Sequence, residues 1–102
     1  MPYITTALNH SSQYTLQATL ATGSCACTVV TIKSTGAMSS ELLVNPNGAR
    51  SIPNGATRMI FIANAPVGTS GTFKVTQSGQ TLADLTIGGT EPVDLHVTFE
   101  VT

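Results

Sequence analysis

The sequence predicts an all-β fold: a single antiparallel β-sandwich, jelly-roll or immunoglobulin-like, of seven or eight short strands, with a small β-barrel as the alternative. Three observations lead there. Several stretches alternate apolar and polar side chains with a period of two. Clusters of Gly, Pro, Asn and Ser separate them and mark turns. Apolar spacing of helical period never runs for a useful length.

Residues 14–22, YTLQATLAT, set Tyr14, Leu16, Ala18 and Leu20 on one face and Thr15, Gln17 and Thr19 on the other, as in a half-buried strand. Residues 26–33, ACTVVTIK, are rich in β-branched side chains and flanked by Gly23-Ser24 and Ser34-Thr35-Gly36, which reads as a strand inside a sheet and covered on both sides. Residues 37–43 are the one place where a helical turn is expected, as a minor feature. A short apolar run, 41–44, ends at Asn45-Pro46-Asn47-Gly48, a tight-turn signal. Pro46-Asn47-Gly48-Ala49 is echoed by Pro53-Asn54-Gly55-Ala56, with Arg50 and Arg58 following. This repeat implies two close turns with a very short edge strand around Ser51 and Ile52.

Residues 57–64, TRMIFIAN, place Met59, Phe61 and Ala63 opposite Ile60 and Ile62, the pattern of a central, deeply buried strand. Residues 72–77 and 81–87, joined through Ser78-Gly79, form a β-hairpin. Residues 93–102 alternate most cleanly: Val93, Leu95, Val97, Phe99 and Val101 inward, Asp94, His96, Thr98 and Glu100 outward to solvent.

At 102 residues the chain has room for one core, so residues 1–102 are expected to form one domain. Only 9% of residues are charged, four basic against five acidic, while 41% are hydrophobic, a balance that disfavours disorder and a nucleic-acid-binding surface alike. The first residues lack a basic start followed by an apolar stretch, so no secretory signal peptide is expected and the chain is read as cytoplasmic or released without one. No apolar run is long enough for a membrane helix.

The residues available for chemistry are few. Cys25 and Cys27 form an isolated C-x-C whose side chains, on an extended chain, lie about 6.5–7 Å apart, too far for an easy disulfide. His10 and His96 do not complete a four-ligand metal set with them, so both thiols are expected to pack in or near the core, with no metal and no cofactor. Asp94, His96, Thr98 and Glu100 form the best polar row, yet a solvated row has no burial to shift its proton affinities, and no catalytic residue is assigned. Calcium would need acidic loops, and Gly88-Gly89-Thr90-Glu91-Pro92 lacks the spacing and helix of a phosphate cradle. Asn9-His10-Ser11 matches a glycosylation acceptor by a pattern frequent by chance. With Tyr3 and Tyr14 beside three phenylalanines read mostly as inward, stacking on sugars is poorly supported.

The surface carries the positive expectation. Its outward positions are Thr, Ser, Gln and Asn, the formal net charge is −1, and only Lys33 and Lys74 could guard strand edges. The composition is similar to that of small β-sandwich fibre, shell, crystal-forming and lectin-like proteins, a similarity that carries no residue across. The expected function is a non-enzymatic, self-associating structural or interaction subunit, a homo-oligomer. The alternative is a lectin-like or lipid-head-group-binding module, such as a toxin component, that holds a glycan or lipid head group through polar loops. Its candidate binding residues are Asn45, Asn47 and Asn54, the 88–91 loop, and Asp94 and His96 of the polar row.

Overall fold

A computed structural model describes residues 3–88, 90 and 93–102, with the side chains of residues 3–6 and of Val93 left aside. Within these the chain forms strands β1 (Tyr3–Leu8), β2 (Tyr14–Thr22), β3 (Ala26–Lys33), β4 (Met38–Val44), β5 (Asn47–Arg50), β6 (Ala56–Ala65), β7 (Ser70–Gln77), β8 (Gln80–Ile87) and β9 (Val93–Val101). They make a five-stranded sheet in the order β1-β9-β6-β3-β4 and a four-stranded sheet in the order β5-β2-β7-β8, packed as a sandwich.

Alternation fills the space between the sheets. Leu16, Phe73 and Val75 from one sheet meet Met59, Phe61, Val97 and Phe99 from the other, all buried. Tyr14, Phe61 and Phe99 form an aromatic column, with ring centroids 5.5 Å and 5.4 Å apart and the second pair edge-on, a geometry favoured by the ring quadrupoles. Each large buried side chain contributes roughly 1.5–3 kcal/mol.

The β7–β8 hairpin closes through Ser78 and Gly79, both at positive φ (53° and 76°), which a two-residue turn matched to strand twist requires. At Gly71 the reason for glycine is contact: an added Cβ would overlap the Thr19 carbonyl oxygen and lie 2.8 Å from Leu20 Cα. That close approach sits where β2 shifts register between Leu20 and Thr22.

Several sequence expectations need correction. All but the first residue of the 37–43 stretch lies in strand β4 rather than in a helical turn, because β3 supplies a full antiparallel partner from Ile32↔Met38 to Ala26↔Val44. The first Pro-Asn-Gly-Ala copy is not a turn: Asn47 and Gly48 are extended in β5, paired with Gln17 and Leu16, so the short edge strand lies at Asn47–Arg50 and not at Ser51 and Ile52. Only the second copy turns, with the Ala56 amide donating to Pro53 O at 3.2 Å and Gly55 at φ 81°. Identical tetrapeptides diverge because β2 offers a ladder to one of them, a tertiary override of local preference.

Tyr3–Leu8, which carries no clear alternation, pairs with β9 in parallel. Strands so distant in sequence have no tight turn to impose antiparallel pairing. β6 is central and β3 is interior, as expected, but neither is covered on both sides: Val30, Ile32, Ile60 and Ile62 are half-buried on the outer face. In β9, Leu95, Val97 and Phe99 point inward as read, whereas Thr98 is not solvated. It lies in register between Ile60 of β6 and Thr5 of β1, where an interior strand has little access to water. The inward placement expected for Val93, and residues Gly89 and Glu91 of the 88–91 loop, fall outside the described residues or side chains.

The turn between β1 and β2 is held by one buried amide. Gln77 Nε2 donates to Asn9 O (2.8 Å) and Ser12 O (3.2 Å), and its Oε1 accepts from the Asn9 amide (2.9 Å). Gln77→Leu removes all three bonds and leaves part-buried backbone groups unpaired, at about 1–3 kcal/mol. The expected result is a lower urea midpoint with an unchanged slope; an unchanged midpoint would show that water replaces the amide there.

Candidate functional site

Directly opposed residues in a ladder face the same side, so registers across β4, β3, β6 and β9 define the outer face of the five-stranded sheet row by row. Val44, Ala26, Asn64 and Asp94 form one row, Leu42, Thr28, Ile62 and His96 the next, then Ser40, Val30, Ile60 and Thr98, then Met38, Ile32, Arg58 and Glu100. The face has two halves. Charge collects toward β9, where Arg58 and Glu100 form an ion pair (2.8 Å) and His96 Nε2 lies 3.3 Å from Asp94 Oδ1. Toward β4 the face is apolar, and Met38, Leu42 and Val44 are 68%, 67% and 66% exposed.

β4 largely inverts the usual alternation: its apolar Met38, Leu42 and Val44 point out, while Ser39 and Glu41 share the inward parity of buried Thr31 and Val29 and Leu43 alone of its apolar residues packs on the core. Register dictates this. The turn after β3, with Gly36 N donating to Lys33 O and Lys33 N to Ala37 O (both 2.9 Å), places Glu41 opposite Val29. At the open margin of the sandwich Glu41 forms an ion pair with Arg50 of β5, clasping the two edge strands together. Tyr14 packs against this pair, and burial raises its phenol above the ordinary range, with Arg50 offsetting part of the effect.

The edges differ in protection. Neither lysine guards one: Lys74 lies on interior β7 and Lys33 at the end of interior β3. β8 carries exposed Asp84, and β5 is only four residues long. β4 offers seven residues, and its single charge is directed inward and paired.

The five candidate binding residues do not converge. Asn45, at φ 48°, accepts the Cys25 amide on Oδ1 (2.8 Å) and donates its own amide to Cys25 O (2.9 Å), so its side chain hands the chain from β4 toward β5. Asn47 is exposed in β5 and lines, with Asn45, a shallow groove of about 310 Å³ between the β4 and β5 edges. Asn54 lines a different groove of about 290 Å³ with His10 and Thr102. Among the described residues no phenylalanine or tyrosine lines either groove. Asp94 and His96 lie on the charged half of the outer face.

Cys25 and Cys27 are both free thiols with no exposed surface. Burial pushes the Cys27 thiol up to about 12 and raises that of Cys25 as well. Among the described residues no group of three His, Cys, Asp or Glu side chains is placed to share a metal ion, and no helix is long and apolar enough to cross a membrane.

Reasoning from alternation alone misses the β4 surface and would invert it. Met38, Leu42 and Val44 share one parity, and the hydrophobic rule would send that parity inward. Comparison of the chain with family models, with curated proteins and with solved structures finds no match.

Proposed function

We propose that this chain is a non-enzymatic structural subunit that associates with copies of itself through the apolar half of its five-stranded sheet. One observation carries the reading: Met38, Leu42 and Val44 stand exposed on an edge strand, beside half-buried Val30, Ile32, Ile60 and Ile62 of the adjoining strands. Contiguous apolar surface of this kind marks an interaction site, and of the large apolar side chains described as exposed only Val67, alone in a loop, lies off this strand. A second copy suits it best, since few charges lie on this half of the face and a net charge of −1 gives copies little reason to repel. The grooves at Asn47 and Asn54 support a glycan or lipid head group less well, lacking the flat apolar contacts such ligands use.

Leu42→Glu places a charge at the middle of the apolar half without touching the core. Association, read by sedimentation velocity at micromolar concentration, is expected to fall by about tenfold or more, the equivalent of 1.4 kcal/mol. The thermal midpoint of the separated chain should stay within a few degrees of the parent. Unchanged association in a folded Leu42→Glu chain would remove this face from the account.

A further inference from the structure

Resting on that reading, we infer that two copies join edge to edge through β4, antiparallel about a two-fold axis at Ser40, so that two five-stranded sheets become one. A two-fold contact must be self-complementary, each residue meeting the image of another. Three residues near the middle of β4 can sit on an axis that keeps both apolar faces on one side. Centred on Glu41, the pairing sets two carboxylates directly opposite, which is unfavourable. Centred on Leu42, it opposes Ser40 to Val44 on the outer side and Glu41 to Leu43 on the inner.

Centred on Ser40, every pair is compatible. Met38 opposes the partner copy's Leu42 on the outer face, and Ser40 opposes its own image. On the inner side Ser39 opposes the partner copy's Glu41, where a serine hydroxyl can donate to a carboxylate that Arg50 already neutralises. The unpaired backbone groups of the β4 edge find partners, and the two apolar halves become one continuous surface. β4 carries neither lysine nor proline, the residues that commonly block such pairing.

Disulfide trapping tests the register with exposed positions, leaving the buried Cys25 and Cys27 aside. Under mild oxidation Ser40→Cys should convert to a covalent dimer. Met38→Cys mixed with Leu42→Cys should form a covalent heterodimer, and Leu42→Cys alone should stay monomeric on a non-reducing gel. A Leu42→Cys homodimer with no Ser40→Cys product would overturn the register. Multimers by light scattering with no trapping at any of the three positions would overturn edge pairing and leave face association standing, whereas an unmodified chain that is strictly monomeric would sink both readings.

Discussion

Phe99→Ala is expected to lower the unfolding free energy by roughly 3–5 kcal/mol, the cost of the lost burial plus the cavity left behind. Phe99 has no exposed surface and stacks edge-on to Phe61 at 5.4 Å, at one end of the column that Tyr14 closes from the other sheet. A domain of this size holds only ~5–15 kcal/mol in total, so the variant gives up a large share of it. His96→Ala, three residues earlier on the opposite side of β9, should change stability by no more than about 0.5 kcal/mol. Paired urea melts decide the matter. If His96→Ala unfolds the chain and Phe99→Ala does not, β9 is assigned to the wrong register.

Alkaline pH should destabilise the fold through its buried thiols and phenol. In the folded chain burial raises Cys27 from 9.0 to about 12, and raises Cys25 and Tyr14 above their ordinary values. A proton affinity raised by folding means the folded state holds its proton longer. The associated stability is therefore complete below the unfolded thiol value and is lost as pH climbs toward the folded one. The unfolding free energy from denaturant melts should hold steady to about pH 8 and fall progressively toward pH 12, by up to a few kcal/mol, with Cys27→Ala showing a shallower fall. A thiol reagent at neutral pH should label both cysteines only as fast as the chain opens. Rapid labelling, or a midpoint indifferent to alkali, would contradict the burial described here.

How much of this was readable beforehand depends on the kind of signal. Residues 14–22, 57–64 and 93–102 announce their strands and inward faces because one side meets a core and the other does not. The Ser78-Gly79 hairpin is legible because left-handed backbone at two consecutive positions is a local demand. β5 and β1 are not legible, since each exists through a partner remote in sequence: Gly48 is extended because Leu16 pairs with it, and Tyr3–Leu8 because β9 does. Polarity alone points to Asn45 as a binding residue, while its side chain is engaged by the Cys25 amide. The β4 surface was hidden for a different reason. Alternation reports which residues share a face but not which face is inside, and in β4 the Glu41–Arg50 clasp and the β3 register decide that against hydrophobicity.

The central claim is that copies of this chain associate through the β4 half of the outer face. Multi-angle light scattering of the unmodified 10.5 kDa chain, followed through a micromolar concentration series, tests it most directly. The account predicts a mass that rises with concentration to twice the chain mass or a higher multiple, and that drops back when Leu42→Glu is made. A mass that stays at that of one chain throughout would contradict it.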